Sequence, residues 1–148
     1  MRKNLAPLMT SKRGDHGTPM GLFTELDVEF DFYRDVAASD DNALCKRYFT
    51  EKDNALVCTW GNWGNAVWCN PPYGRGVGAW LDKAQVEASH GVVTVMLLPA
   101  RTCTKWFHKH KDHCEVRFIK GRLKFTGNDH AAPFPSMLMI FRPKRGYE

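Results

Sequence analysis

The chain has 148 residues, 43% of them hydrophobic, and a formal net charge of +5. This length predicts one domain with a single core. No run reaches the ~18 apolar residues of a membrane span, and the polar, basic residues 1–16 contain no apolar export signal. We therefore expect a cytoplasmic protein with no membrane partner, a flexible basic arm at residues 1–16, and a polyanionic partner.

Helical and strand patterns alternate along the first ninety residues. Thr18 and Pro19 predict a helix start, with Thr18 as N-cap and Pro19 as the first helical residue. Apolar residues then recur at helical spacing up to residue 30. We predict a first strand over residues 30–38, a short helix over 42–49 and a second strand over 67–69. A helical stripe over 77–88 is closed by Gly91.

The second half predicts the centre of the sheet. Residues 92–98 are a continuous apolar run, which is typical of a parallel strand covered on both faces. A short helix is predicted over 104–111, and strands over 116–119 and 137–141. This order predicts an α/β fold: a three-layer sandwich with a mostly parallel sheet and a terminal antiparallel hairpin.

Asn70-Pro71-Pro72-Tyr73 is the most informative motif. Prolines cannot continue a ladder, so the strand must end at the carboxyl edge, where open α/β sheets bind ligands. The Asn70 side chain and the Pro71 carbonyl are acceptors, and Tyr73 offers an aromatic face. Two acceptors on a planar amine stabilise the positive charge that develops as a methyl group arrives. The motif thus predicts a grip on the amine of adenine or cytosine, extruded from its duplex. The structural alternative is an edge strand ended by prolines, with a packed tyrosine.

Six further segments accompany this motif. They are Thr18-Pro19, Asp35-Val36-Ala37-Ala38-Ser39 with Asn42, Asp53-Asn54-Ala55-Leu56, Leu98-Pro99-Ala100-Arg101-Thr102, Lys120-Gly121-Arg122-Leu123-Lys124-Phe125 and Ala132-Pro133-Phe134-Pro135-Ser136. With these segments, from about residue 18 to 141, the chain resembles the phage-type DNA adenine-N6 methyltransferases. The resemblance implies a reduced Rossmann-like methyltransferase fold, S-adenosylmethionine as cofactor, double-stranded DNA as substrate and protection of phage DNA from restriction. The length leaves no room for a separate target-recognition domain.

By this resemblance, the catalytic residues are Asn70, Pro71, Pro72 and Tyr73. The first two activate the amine, Tyr73 stacks the base, and the methyl group passes by direct displacement.

The resemblance also implies a cofactor site in the first half. Its residues would be Thr18, Pro19, Asp35, Ala37, Asn42 and Asp53. Thr18 and Pro19 would approach the methionine end, Asp35 would face the amino group, and Asp53 would accept from the adenine amine.

The chain departs from the wider methyltransferase pattern in this half. An Ala-Ala-Ser sequence replaces the usual glycine-rich loop, and only eighteen residues separate Asp35 from Asp53. The carboxylate for the ribose hydroxyls has no clear position, and Asp40, Asp41 and Asn42 remain open.

Basic residues are concentrated where the predicted strands end. Arg75 follows the motif and Arg101 follows the apolar strand. We expect both to contact phosphates beside the flipped base, with Lys120, Arg122 and Lys124 on a DNA-facing loop or strand. A solvated charged face is the alternative, above all for residues 105–111.

Histidines and cysteines between residues 103 and 114 suggest zinc, but their spacing fits no closed CxxC or HxxxH arrangement. We predict no metal site. The five cysteines are an odd number, which is typical of reduced thiols.

Several alternatives stay open at the level of sequence. The same chemistry could act on cytosine N4, an RNA base or a protein amide. Because the glycine-rich loop is missing, a non-catalytic nucleic-acid-binding module with a methyltransferase fold is a second class. The recognition sequence and homodimer formation are also open.

Overall fold

The computed structural model describes residues 17–144, so the predicted basic arm lies outside the described residues. Its helices are α1 (Met20–Phe30), α2 (Val77–Ser89) and α3 (Lys105–His110). Its strands are β1 (Phe32–Asp35), β2 (Ala66–Cys69), β3 (Val93–Pro99), β4 (Glu115–Phe118) and β5 (Ser136–Phe141). Among residues 17–144, no helix is long and apolar enough to cross a membrane.

The five strands form one mixed sheet in the order β1-β2-β3-β5-β4. β1, β2 and β3 are parallel, and β5 is antiparallel to both β3 and β4. β4 therefore runs in the same direction as β3. Four strands end at one edge of the sheet, which we call the carboxyl edge, and β5 begins there. The predicted α/β class is confirmed, and the sheet is mixed, with two parallel and two antiparallel strand pairs.

The two faces of the sheet are covered by different helices. Because successive strand residues point to opposite faces, Trp68 and Leu97 pack with Phe23 of α1. Cys69 and Leu98, next to them in the chain, belong to the cluster that includes residues of α2 and α3. The apolar run of β3 is buried on both faces, as its sequence predicts.

Helix α1 begins one residue later than predicted. Pro19 is the N-cap and Met20 the first helical residue. The prediction that Thr18 caps this helix is wrong, because its hydroxyl is bound to other side chains. The prediction for the end of α2 is confirmed: Gly91 follows the C-cap His90 with a positive φ of 90°.

The predicted helix over residues 42–49 is wrong. Asn42 Oδ1 accepts a hydrogen bond from the Ser39 N–H (2.7 Å), which favours a turn over a helix. Residues 47–49 then run beside β1, where the Asp35 N–H donates to the Arg47 carbonyl and the Phe49 N–H to the Asp35 carbonyl, each at 3.0 Å. This segment extends the sheet because the backbone groups at the edge of β1 need partners.

Candidate active site

A cleft of about 770 Å³ opens beside the carboxyl ends of β1 and β2. It is lined by Val36, Ala37, Ala38, Ser39, Asn42, Phe49, Thr50, Glu51, Asn54, Ala55, Asn70, Pro72 and Trp80. Its volume lies within the range of about 300–1,000 Å³ that is usual for small-molecule sites. The lining combines a carboxylate, three amides and two large aromatic rings, so the cleft can bind a ligand with both polar and apolar parts.

Asn70 lies between this cleft and the aromatic residues of the opposite face. It follows β2 directly and lines the cleft. Its Nδ2 donates to Thr18 Oγ1 at 3.1 Å, and its Oδ1 accepts from the Tyr73 hydroxyl at 3.2 Å. Pro71 is buried next to it, and Pro72 is exposed at the cleft. The prolines end β2 as the sequence predicts, which leaves the amide at the carboxyl edge.

Tyr73 packs in an aromatic cluster that the sequence did not reveal. Its ring meets those of Phe125 and Phe134 edge-on, with centroids 6.4 and 5.9 Å apart. Burial raises the pKa of Tyr73, so its hydroxyl is neutral and can donate. Both phenylalanines come from residues 119–135, which connect β4 to β5 at the carboxyl edge. The available signal was that both of these aromatic residues lie between the last two predicted strands.

Only two of the six residues predicted for the cofactor line the cleft, namely Ala37 and Asn42. Asp35 is 3% exposed, and its carboxylate accepts from the Ala37 and Leu44 N–H groups at 3.3 and 3.1 Å. Burial raises the pKa of Asp35 to about 6, against the lowering effect of these two N–H donors. The carboxylate of Asp35 therefore holds the loop that follows β1.

The Asp53 carboxylate is also held by local hydrogen bonds. Its carboxylate accepts from the Thr50 N–H (2.8 Å) and the Thr50 hydroxyl (3.2 Å) in a capping box. Its neighbours Glu51 and Asn54 line the cleft instead. Sequence reasoning missed Glu51. Its position soon after the segment that extends β1 could have indicated a site residue, but that segment was predicted as helix.

Thr18 and Pro19 are not among the residues that line the cleft. Thr18 is 8% exposed, and its Oγ1 accepts from the Trp68 indole Nε1–H at 3.2 Å. Trp68 packs on the face covered by α1. The structure therefore places the Thr18 hydroxyl beside Asn70 and on the α1 side of it.

The predicted DNA-binding residues follow three parallel strands and share the carboxyl edge. Arg75 comes after β2, Arg101 after β3, and Lys120, Arg122 and Lys124 after β4; all five are exposed. Within residues 17–144, none of them forms an ion pair, while Arg122 donates to the Pro133 carbonyl at 3.1 Å.

By contrast, part of the positive charge of α3 is neutralised, because the Lys109 amine lies 2.9 Å from the Asp82 carboxylate. His110, on the same helix, is buried with its ring nitrogens 2.7 and 2.9 Å from Gln85 Oε1 and Asp82 Oδ1. In the part of the chain that the structure describes, no three His, Cys, Asp or Glu side chains are arranged to hold a metal. All five cysteines lie in that part and are free thiols.

The sequence of this chain is similar to that of known DNA methyltransferases. Residues 7–147 match the family described as DNA N-6-adenine-methyltransferase (Dam). A protein named DNA N-6-adenine-methyltransferase, from Escherichia phage T1, is 32% identical over 118 residues, which are 77% of this chain and 49% of that relative. The chain thus spans about half the length of the relative. Since the family match covers almost every residue, this chain belongs to the DNA N-6-adenine-methyltransferase (Dam) family.

Proposed function

We propose that this protein transfers a methyl group from S-adenosylmethionine to the N6 amine of an adenine in double-stranded DNA. The observation that carries the proposal is the position of Asn70. Asn70 lines the cleft, and its side-chain oxygen accepts from Tyr73, which packs with Phe125 and Phe134. Donor and acceptor of the methyl group can therefore meet at one amide. Family membership supports the same reaction.

The cleft fits S-adenosylmethionine in size and in chemistry. It lies at the carboxyl edge of a sheet that we interpret as a reduced Rossmann-like methyltransferase sheet, and ligands of such sheets bind at this edge. The Glu51 carboxylate suits the ribose hydroxyls, as the acidic residue of dinucleotide-binding folds does. Phe49 and Trp80 offer apolar contact for an adenine ring, and Asn42 and Asn54 offer amides. When bound, the cofactor supplies a methyl group activated by its sulfonium.

The catalytic contribution of this chain is electrostatic. The lone pair of an adenine amine is delocalised into the ring, so the amine is a poor nucleophile. Hydrogen bonds from the amine to Asn70 Oδ1 and to the Pro71 carbonyl would stabilise the positive charge that develops on nitrogen. Tyr73 would stack on the extruded base, a contact that typically contributes about 1–3 kcal/mol. No covalent intermediate on the enzyme is needed.

The cations at the carboxyl edge would bind the DNA. Arg75 and Arg101 flank the acceptor loop, and residues 119–135 carry Lys120, Arg122 and Lys124. Phosphate contacts of this kind fix register and orientation but carry no sequence information. We place the reaction in the cytoplasm of the cell that holds the DNA.

Transfer of labelled methyl from S-adenosylmethionine to unmethylated duplex DNA, followed by nucleoside analysis, tests the proposal. Asn70→Ala should abolish the label, and Asn62→Ala, an exposed asparagine that precedes β2 and so lies at the opposite edge, should not. Label in N6-methyladenine supports the proposal. Label in N4-methylcytosine would change the substrate. Cofactor binding without labelled DNA would point to RNA or protein amides, and absence of cofactor binding would contradict an enzymatic function.

A further inference from the structure

One hydroxyl links the core of the protein to the catalytic amide. Thr18 Oγ1 accepts hydrogen bonds from the Trp68 indole Nε1–H at 3.2 Å and from Asn70 Nδ2 at 3.1 Å. Trp68 and Asn70 are two residues apart in the chain, where β2 passes into the acceptor loop. The Thr18 hydroxyl therefore binds residues on both sides of the point where β2 ends and the acceptor loop begins.

The Trp68 end of this link is fixed. Its indole is fully buried and meets the rings of Phe23 and Phe32 edge-on, each with centroids 5.6 Å apart. An indole nitrogen can only donate, so the Thr18 oxygen must turn a lone pair toward it. The hydroxyl oxygen then has a defined place from which it binds one end of the Asn70 amide.

Thr18 is also held from the opposite side. The Thr126 hydroxyl donates to the Thr18 carbonyl at 3.0 Å, and the Thr126 N–H donates to the Gly17 carbonyl at 2.9 Å. A Cβ on Gly17 would lie only 3.0 Å from the Thr126 Cβ, so the two backbones meet closely. The backbone of Thr18 is thus fastened to residues 119–135, and its side chain is fastened to the end of β2.

We propose that Thr18 is a positioning residue for the catalytic acceptor. Its hydroxyl holds the amino end of the Asn70 amide, which leaves Oδ1 as the end that receives the target amine. The inference rests on the proposed function, because it assumes that Asn70 Oδ1 is that acceptor. It assigns Thr18 to the target side of the reaction, whereas the family resemblance implies contact with the methionine end of the cofactor.

Two variants separate the hydroxyl from the bulk of the side chain. Thr18→Val keeps the shape and removes the hydroxyl, and Thr18→Ser keeps the hydroxyl. Thr24→Val, at an exposed threonine of α1, is the matched control. The measurements are the single-turnover methylation rate at saturating cofactor and DNA, and the dissociation constants of both ligands.

We expect Thr18→Val to lower the single-turnover rate by about 10- to 100-fold, as displaced catalytic groups do. Affinities for S-adenosylmethionine and DNA should change less than about twofold, because no contact to either is removed. Thr18→Ser should keep most of the rate. A rate for Thr18→Val equal to that of the wild type would overturn the proposal. So would weaker cofactor binding with an unchanged rate at saturation, since it would indicate a cofactor contact.

Thr18→Val leaves the buried Trp68 N–H without its acceptor, so lost stability must be separated from lost positioning. Thr18→Val combined with Trp68→Phe removes that N–H as well. Because Trp68→Phe itself leaves a cavity, the single Trp68→Phe variant is measured beside it; the double variant should lose less stability than the two single variants lose together, and remain as slow as Thr18→Val. If its rate returned to the wild-type value, strain at Trp68 would explain the defect, and the proposal would be wrong.

A measurement without any reaction distinguishes failure of this inference from failure of the proposed function. The side-chain amide resonances of Asn70, identified by their loss in Asn70→Ala, report the hydrogen bond to Thr18. They should be protected from solvent exchange in the wild type and Thr18→Ser but not in Thr18→Val. Protection that persists in Thr18→Val would overturn the inference. If Thr18→Val loses this protection but the wild-type protein methylates no DNA, the hydrogen bond between Thr18 and Asn70 stands and the proposed function is wrong.

Discussion

The Tyr73 hydroxyl donates a hydrogen bond to Asn70 Oδ1 at 3.2 Å, the atom that a target amine needs in the proposed reaction. The same hydroxyl lies 3.4 Å from the Leu97 carbonyl oxygen. The hydroxyl thus occupies one of the two lone pairs of Asn70 Oδ1, and an entering amine must share the oxygen with it or displace it. Tyr73 has two effects in this arrangement: its ring favours the base by stacking, and its hydroxyl competes with it.

Tyr73→Phe should separate these effects. The ring remains and the competing donor is removed, so we expect kcat/KM to equal or exceed that of the wild type by a few-fold. Tyr73→Ala should weaken binding of the extruded base, at a cost of about 1–3 kcal/mol. Steady-state kinetics measure kcat/KM, and the fluorescence of 2-aminopurine at the target position measures binding of the extruded base. A loss of more than about tenfold, or 1.4 kcal/mol, in Tyr73→Phe would show that the hydroxyl assists the reaction.

Glu51→Gln should weaken cofactor binding. Glu51 lines the cleft, and a carboxylate that accepts from two ribose hydroxyls makes charge-assisted hydrogen bonds of about 1.5–3 kcal/mol. The dissociation constant of S-adenosylmethionine, measured by calorimetry, should rise by about 10- to 100-fold.

Asp53→Asn is the matched control for Glu51. Its carboxylate accepts from Thr50, and the amide oxygen of Asn can accept the same hydrogen bonds, so the variant should keep most of its stability and keep its cofactor affinity. A larger affinity loss in Asp53→Asn than in Glu51→Gln would restore Asp53 as the residue that contacts the cofactor.

The acceptor loop could be placed from sequence because its physics is local. Pro71 and Pro72 have no N–H to donate, so a central strand cannot continue through them. The apolar run of β3 likewise admits few alternatives, since it is too short for a membrane span and too continuous for an exposed strand. Both predictions depend on residue type alone.

The cofactor side could not be placed in the same way. The segment at residues 47–49 is held beside β1 by backbone hydrogen bonds, which no side-chain pattern reports. When that segment is predicted as helix, Glu51 no longer follows a predicted strand, and no sequence feature marks it as a site residue. The partners of the Asp35 carboxylate could not be predicted for a related reason, because they are the N–H groups of Ala37 and Leu44, in a loop whose path only the structure shows.

Replacing Arg75 and Arg101 together with alanine should weaken DNA binding. Both side chains are exposed at the carboxyl edge. If each contacts one phosphate, the negative slope of log K against log[salt] should become shallower by about 1.8. Cofactor affinity should not change. Lys109→Ala is the control, because its amine is already paired with Asp82. Equal slopes for the double variant and the wild type would place the DNA elsewhere.

Asp35 should make stability depend on pH. Burial raises its pKa from 3.8 to about 6 in the folded state. Between these values the unfolded chain has lost the proton that the folded chain retains, so raising the pH favours unfolding. The stabilising contribution of the protonated group is complete below the unfolded pKa and is lost as the pH rises through about 6. A pKa difference of this size corresponds to about 3 kcal/mol.

Asp35→Asn isolates this contribution. The variant cannot titrate at this position, and it leaves one of the Ala37 and Leu44 N–H groups without a carboxylate oxygen, which costs about the same stability at every pH. The free energy of unfolding in urea, taken as wild type minus variant, should fall by about 2.4 kcal/mol from about pH 4 to about pH 7, because part of the contribution is already lost at pH 4. The carboxyl ¹³C resonance of Asp35 should titrate near pH 6. A difference that stays flat or rises with pH would mean that the two N–H donors outweigh burial and that Asp35 is ionised throughout.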